Sequence, residues 1–232
     1  MKQNMFCFQC EQTAGCTGCT GSAGVCGKRA DTAELQDRLT GKLIGLARAS
    51  FGNEDILPEA AGQIVREGLF AGVTNVNFDN ASLTALLHRA EEVKRQLVPL
   101  CYDCSSACGK NDDYDMKRLW SAGEDVRSLK SLILFGIRGM AAYAYHAAVL
   151  GYTDPEVDRF FYKALFAVGM EDWGMEELLP IVLETGAVNL KCMALLDKAN
   201  TETYGDPVPT EVSLCVDVSA NDKMKENAEE KM

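Results

Sequence analysis

Apolar residues recur every three or four positions along most of this chain, which is the spacing of one face of an α-helix. In the first half, the pattern predicts one helix beginning at Asp31, whose carboxylate suits an N-cap, and a second over 57–71. A third begins at Asp79 or Asn80 and ends before Pro99, because proline cannot continue a helix interior. Three amphipathic helices joined by short loops predict a helical bundle.

Three further helices are predicted in the second half of the chain. The first begins near Glu124, and the second begins at Asp154, where a capping side chain precedes a proline. The third has Pro180 in its opening turn, which a helix tolerates. Its apolar positions at helical spacing are Leu183, Gly186, Leu190, Met193 and Ala194. No segment before residue 207 alternates apolar and polar residues over the length of a strand, so the sequence predicts an all-α fold.

The helices and the segments between them divide the chain into five parts. These are a Cys-rich cluster-binding loop over 1–30, a first helical segment over 31–100, a Cys/Asp-rich connector over 101–123, a second helical segment over 124–212 and a polar tail over 213–232. Residues 1–212 are expected to form one structural domain. The composition of the tail favours a frayed helix or disorder over a binding site.

The N-terminal loop carries the main candidate chemistry, since half of the ten cysteines lie in the first 28 residues. A glycine stands at every third position from 15 to 27, so the backbone can wrap closely around a compact object. The spacing Cys7-x2-Cys10-x8-Cys19-x6-Cys26 combines one close pair with two separate thiols, which suits a cubane iron–sulfur cluster. A structural zinc site usually has two close pairs. Zinc, disulfides and unligated thiols remain alternatives at this point.

Composition and charge narrow the class of protein. The 232 residues are 47% hydrophobic, which is enough for one substantial core. No export signal precedes Cys7 and no run of about eighteen apolar residues is present, so we expect a cytoplasmic protein without a membrane span. The reducing cytosol favours metal ligation over disulfides. The net charge of −11 argues against nucleic acid, which needs a basic patch.

A second group of cysteines follows the first helical segment. Cys101, Cys104 and Cys108 lead into a polar, turn-rich stretch and could form a three-thiolate metal site or an oxidation-sensitive pair. The fourth ligand would then have to come from Asp103, Cys192 or elsewhere. No fourth cysteine lies nearby in the sequence, so we favour ordinary thiols in a loop.

The histidines and the basic residues of the helices are expected to be structural. His88 and His146 lack the spacing of a ferritin-like di-metal site or a zinc-protease site. Arg127, Arg138 and Lys191 are expected to pair with the many carboxylates of the chain. No phosphate-binding glycine loop and no serine-nucleophile motif occurs, so nucleotide binding and serine hydrolysis lack the backbone arrangements that they need.

Three short stretches of the loop stand out: FCFQCEQTA at 6–14, GCT at 18–20 and GVCGK at 24–28. They resemble the N terminus of the hybrid cluster protein family, also called prismane or hydroxylamine reductase proteins. The second half is similar to the same family over 124–129 and 139–147, and again over 189–212. The resemblance runs in order from Met5 to about Val212.

This resemblance implies both a cofactor and a fold. In the family, the cysteines that match Cys7, Cys10, Cys19 and Cys26 hold a [4Fe-4S] cubane or, in a second type with wider spacing, a [2Fe-2S] cluster. Cys16 is extra to this pattern and is expected to be a spare thiol. The implied fold is an all-α N-terminal domain of two three-helix bundles, similar to spectrin repeats, with the irregular iron–sulfur loop at one end.

The resemblance also implies a redox function connected with nitrosative stress. Family members reduce hydroxylamine to ammonia, or reduce nitric oxide, at a separate hybrid cluster. The histidine, glutamate and cysteine ligands of that cluster lie in two further α/β domains, and we do not recognise them in this chain. We therefore expect a [4Fe-4S] electron-transfer domain that is not catalytic alone and that receives electrons from a redox protein.

The resemblance finally leads to an expectation about partners. A domain that packs on further domains in its relatives exposes an apolar face, so we expect either a chain that supplies those domains or a homodimer. The alternative function is a non-catalytic helical interaction module that is stabilised by zinc or by a cluster. Iron-dependent colour that bleaches with dithionite favours the redox domain, whereas a colourless protein with one zinc favours the module.

Overall fold

The computed structural model of the chain describes residues 5–10, 13, 15, 17–52, 57–73, 76–97 and 113–210. Seven α-helices lie in this part of the chain: α1 (Ala30–Ala49), α2 (Glu59–Ala71), α3 (Asn80–Leu97), α4 (Met116–Ser121), α5 (Glu124–Val149), α6 (Pro155–Gly169) and α7 (Met175–Tyr204). An isolated antiparallel bridge between Cys7 and Cys19 is the only β pairing among the described residues. The prediction of an all-α fold is therefore confirmed.

Side-chain caps fix the starts of two helices as the sequence predicts. The Asp79 carboxylate accepts a hydrogen bond from the amide of Ala81 at 2.9 Å, at the start of α3. Asp154 is the N-cap of α6, and its carboxylate accepts from the amide of Glu156 at 2.8 Å. Each bond satisfies a backbone donor that the first turn of a helix leaves without an internal partner.

Two other helix starts differ from the prediction. The N-cap of α1 is Arg29, and Asp31 lies inside the first turn, where its carboxylate accepts from the amide of Thr32 at 2.9 Å. A negative charge there still favours the positive end of the helix dipole. α7 begins at Met175, so Pro180 lies inside the helix and not in its opening turn. A glutamate of the first turn bonds the N-cap amide and fixes this earlier start.

The connector contains a short helix that the sequence pattern did not predict. α4 follows Asp115, whose carboxylate accepts from the amide of Lys117 at 2.9 Å. Leu119 of α4 belongs to the main hydrophobic core. The amide of Tyr114 donates to Gly41 O of α1 at 3.0 Å, and a Cβ on Gly41 would collide with the Tyr114 carbonyl. Glycine therefore permits this close contact between α1 and the connector.

Several predicted features lie outside the described residues. These are Cys16, the three cysteines at 101, 104 and 108, and the tail over 213–232. Cys16 as a spare thiol, the three later cysteines as ordinary thiols and the tail as a frayed helix or disorder therefore stay predictions. The same holds for the division of the chain into five parts.

The described helices pack as two sets. α1, α2 and α3 contact one another, and so do α5, α6 and α7, which is compatible with two three-helix bundles. Contacts of α1 with α6 and of α2 with α5 join the sets, and one hydrophobic core crosses both. α6 is central to it: Phe161 and Tyr162 are fully buried, and the Tyr162 hydroxyl donates to Ala61 O of α2 at 3.0 Å.

α7 carries apolar residues on two sides. Leu178, Val188 and Cys192 are among those buried against the other helices. The positions that the sequence pattern selected lie largely on the other side, where Leu183 and Leu190 are 69% and 70% exposed. We call the exposed residues of this side the outer face of α7: Met175, Leu179, Leu183, Leu190 and Met193. The periodicity identified the helix but did not select its buried side.

Two helices, α5 and α7, are long and apolar enough to cross a membrane by length and composition. Core helices of soluble proteins pass the same test, so this is weak evidence for a span. In the structure α5 packs against α2, α6 and α7. The expectation that the protein has no membrane span stays a prediction.

Candidate metal centre

The two arms of the cysteine loop pair as a short antiparallel ladder. The amide of Met5 donates to Gly21 O at 3.1 Å, and Cys7 and Cys19 exchange two backbone hydrogen bonds of 3.0 and 2.7 Å. Cys7 and Cys19 therefore lie directly opposite each other. Both are buried, and they pack with Met5 and with Ala33 of α1 in a small hydrophobic cluster.

Glycine gives the loop its tight path at two positions. Gly18 has a φ of +90°, and a Cβ there would lie 2.8 Å from the ring of Phe6. Gly27 has a φ of +82° in the turn that carries Cys26, and its amide donates to Gly24 O at 2.9 Å. Residues with a side chain rarely adopt these angles. The interleaved glycines thus form a closely folded loop, as their spacing predicts.

The four predicted ligands are free thiols in the structure. Cys7 and Cys19 are buried, whereas Cys10 and Cys26 are partly exposed. Burial raises the pKa of the Cys7 thiol, although a backbone amide hydrogen bond and the charge of Lys28 act in the opposite direction. A bound metal stabilises the thiolate, so binding at such a site releases protons.

The four thiols lie on one loop, but they are not arranged as ligands of a single metal ion. No group of three His, Cys, Asp or Glu side chains among the described residues is placed to hold a metal ion. In an iron–sulfur cluster, iron and sulfide atoms stand between the thiolates, so the ligands lie further apart than around one ion. The assignment of Cys7, Cys10, Cys19 and Cys26 as ligands stays a prediction.

A buried polar network holds Gln9, which lies between the first two cysteines of the loop. The Gln9 amide nitrogen donates to Ala33 O at 2.9 Å and to Asp37 Oδ1 at 2.7 Å. Its amide oxygen accepts from Lys28 Nζ at 2.7 Å. Burial raises the pKa of Asp37 to about 6, although the Gln9 hydrogen bond and the charges of Arg138 and Lys28 lower it. The network ties the loop to the start of α1.

Arg138 of α5 reaches the same turn from the second set of helices. Its side chain is buried, and one terminal nitrogen donates to Gln9 O at 2.9 Å while the other donates to Thr40 Oγ1 at 2.9 Å. Its Nε has no hydrogen-bond partner among the residues that the structure describes. The predicted pairing with a carboxylate is absent for Arg138 within the described part of the chain, whereas Lys191 does pair with Glu156.

The charge of Arg138 provides a test of whether an iron–sulfur cluster fits this loop. Burial lowers the pKa of its guanidinium, and the opposing influences are Asp37, Cys7 and Cys10, in that order. Cys7 and Cys10 therefore lie within electrostatic range of the buried cation. Burying a charge costs free energy that Asp37 offsets only from a distance, and a cluster with four thiolate ligands is an anion that would offset more of it. The donor set and the charge of the surroundings thus fit such a group.

Aromatic side chains pack at the base of the loop. The ring centroids of Phe6, Phe8 and Trp120 lie 5.0 to 5.7 Å apart. Trp120 belongs to α4, and the guanidinium of Arg127 lies 4.8 Å from the centroid of its ring. This packing joins the loop to the main hydrophobic core, whereas Cys7 and Cys19 lie in the smaller cluster with Met5 and Ala33.

The sequence pattern missed the residues that surround the thiols. Gln9 and Lys28 lie inside the stretches that carry the family resemblance, so the sequence could have identified them as residues of the site. Arg138 gave a different signal. It stands between Ile137 and Met140, two apolar residues that are buried in the structure. A charged residue within a buried run indicates a specific partner.

Four cysteines on one glycine-rich loop are the kind of donor that iron–sulfur clusters use. The sequence model of the Prismane/CO dehydrogenase family matches residues 5–224, and the chain belongs to this family. The resemblance that the loop motifs indicated is therefore confirmed.

Curated relatives agree with this assignment. The chain is 42% identical over 235 residues to a hydroxylamine reductase of Porphyromonas gingivalis and 39% identical over 230 residues to one of Solidesulfovibrio magneticus. It is 40% identical over 235 residues to a hydroxylamine reductase of Desulfitobacterium hafniense. These alignments cover 93%, 90% and 92% of this chain, and 42% of each relative. The chain thus spans less than half the length of the curated relatives it matches.

Proposed function

We propose that this chain is the electron-transfer domain of a hydroxylamine reductase-like hybrid cluster protein. Cys7, Cys10, Cys19 and Cys26 would hold a [4Fe-4S] cluster, which takes up and releases single electrons when bound. The supporting observation is the buried guanidinium of Arg138, which lies within electrostatic range of Asp37, Cys7 and Cys10 and forms no salt bridge among the described residues. Thiolates that ligate a cluster would compensate its charge.

The residues around the thiols would prepare the loop for this role. Gln9 and Lys28 fix the turn through hydrogen bonds that involve buried side chains. The aromatic group of Phe6, Phe8 and Trp120 excludes water from one side of the loop. Burial, hydrogen bonding and charge in the surroundings are the properties by which a protein sets the reduction potential of a cluster.

Reduction of a substrate is proposed to need more than these residues. The relatives are named hydroxylamine reductases, and this chain covers 42% of their length. We place the reduction of hydroxylamine to ammonia, or of nitric oxide, on a hybrid cluster whose ligands we do not recognise here. This chain would pass on electrons received from a redox protein in the cytoplasm, and it would need neither nucleic acid nor a membrane.

The proposed function is tested by anaerobic purification, followed by iron and sulfide analysis and EPR of the dithionite-reduced protein. About four irons per chain and a fast-relaxing S = 1/2 signal are expected for a [4Fe-4S] cluster. About two irons per chain would instead indicate the [2Fe-2S] cluster of the second family type. About eight irons per chain would indicate a second cluster, for which Cys101, Cys104 and Cys108 are the candidate ligands. A colourless protein that contains one zinc would contradict the redox function.

The second candidate function is a metal-stabilised interaction module, and the outer face of α7 favours it. Exposed apolar surfaces of this kind often mark contacts with another polypeptide. We propose that a second copy of the chain, or a polypeptide that carries the hybrid-cluster domains, covers Leu183 and Leu190, which are mostly exposed. Light scattering is then expected to show self-association that rises with concentration in the isolated chain. Replacing both leucines by glutamate should abolish it, and a wild-type monomer at every concentration would contradict the homodimer.

A further inference from the structure

We propose that Arg138 is a positioning residue of the cysteine loop, which fixes the turn between Cys7 and Cys10 and raises the reduction potential of the cluster held there. The proposal rests on the proposed function, because it assumes that these thiols ligate a cluster. It adds a residue of α5, outside the cysteine motif, that controls the reduction potential of the cluster.

Positioning follows from the two hydrogen bonds of the guanidinium. Arg138 lies on α5 and donates to Gln9 O, between the first two cysteines, and to Thr40 Oγ1 on α1. Gly72, which follows the end of α2, lies against it as well, because a Cβ there would be 3.2 Å from Arg138 Nε. A planar guanidinium that bonds two partners and is enclosed by a third segment has little freedom to move. The turn is thereby held by a side chain that is itself fixed.

The effect on potential follows from the charge. Asp37, Cys7 and Cys10 act electrostatically on Arg138, in that order, and no carboxylate among the described residues lies at salt-bridge distance from it. Two other buried cations differ in this respect, since Arg66 pairs with Asp158 and Lys94 pairs with Asp113. A cluster becomes more negative on reduction, so a fixed positive charge nearby favours the reduced form. In a buried site this effect is weakly screened by solvent and salt.

Lys130 provides a matched control on the same helix. It is also buried, and its ammonium donates to Met170 O, a backbone carbonyl. The charges that act on it come from Glu171, Arg48 and Asp172, and no cysteine is among them. Eight residues separate it from Arg138, which is about 12 Å along a helix axis. A variant at this position removes a buried cation from α5 without removing one from the cysteine loop.

The experiment is an EPR-monitored redox titration of anaerobically purified protein in four forms: wild type, Arg138→Met, Arg138→Lys and Lys130→Met. Arg138→Met is expected to retain iron and to lower the ratio of reduced to oxidised cluster at least tenfold at a given potential. A tenfold change corresponds to ~59 mV for a one-electron couple. Arg138→Lys keeps the charge, so its ratio of reduced to oxidised cluster is expected to stay within about threefold of the wild-type ratio, which is a smaller shift than ~59 mV. Lys130→Met is expected to have the same ratio as the wild type.

The outcomes separate this proposal from the proposed function. Iron-loaded Arg138→Met with the wild-type potential would overturn the role of Arg138 and leave the cluster in place. An equal shift in Lys130→Met would also overturn it, because the effect would then be a general one of buried charge. Wild-type protein without iron would overturn both proposals. If Arg138→Met does not fold, Arg138→Gln, which can still donate to Gln9 O, takes its place with the same expected direction.

Discussion

Replacing both Cys10 and Cys26 by alanine is expected to remove nearly all iron and the visible absorbance of the anaerobically purified protein. The two substitutions remove half of the proposed ligands, and alanine offers no donor atom in their place. These positions are preferred for the test because both side chains are partly exposed, whereas Cys7 and Cys19 are buried in the loop. Loss of iron from this double variant can therefore be attributed to the loss of ligands, because the two substitutions disturb the packing of the loop least.

Cys192→Ala is the matched control. This thiol is buried in α7 and donates to Met140 O at 3.3 Å, and burial raises its pKa to about 11. Such a group stays protonated and suits a small core residue better than a ligand. The control should keep the iron content of the wild type. Iron that persists in the double variant would show that the ligands lie elsewhere, and iron that disappears from the control would point to a general loss of folding.

Phe161→Ala is expected to lower the free energy of unfolding by about 3–5 kcal/mol, the range for deletion of a buried aromatic side chain. Phe161 is fully buried in α6. α6 contacts α1, α2, α5 and α7, so a cavity there loosens both sets of helices. Urea denaturation followed by circular dichroism measures the change, with variant and wild type in the same metal state.

Phe51→Ala is the control for that measurement. Phe51 stacks on Phe166 with ring centroids 4.1 Å apart, but 45% of the residue is exposed. Replacing it by alanine is expected to lower the free energy of unfolding by less than about 1.5 kcal/mol, since only one aromatic pair and little buried area are lost. Equal losses for the two variants would contradict the position of Phe161 in the core, because exposure would then have no influence on the result.

The sequence predicted those elements whose causes are local. Helical periodicity and caps such as Asp154 act within one turn, and α6 begins where the cap predicts. The closely folded cysteine loop likewise follows from glycines such as Gly18, whose positive φ is a property of the residue itself. The family was readable for the same reason, because its motifs lie in short stretches of consecutive residues.

The sequence failed where the cause is a contact between distant segments. α7 has apolar residues on two sides, and only packing against α5 and α6 decides that Leu183 lies outside and Leu178 inside. Arg138 was expected to pair with a carboxylate, because nothing within α5 indicates a carbonyl of the N-terminal loop as its partner. The contact of Gly41 with Tyr114 is equally invisible in a local pattern.

The hydrogen bond between Arg138 and Gln9 also bears on the synthesis of the chain. It joins residues 129 positions apart, so Gln9 leaves the ribosome well before Arg138 does. Closing so long a loop is entropically costly, and contacts between segments this far apart form slowly. A chain shortened before Arg138 would carry the cysteine motif without the hydrogen bond that holds Gln9 O.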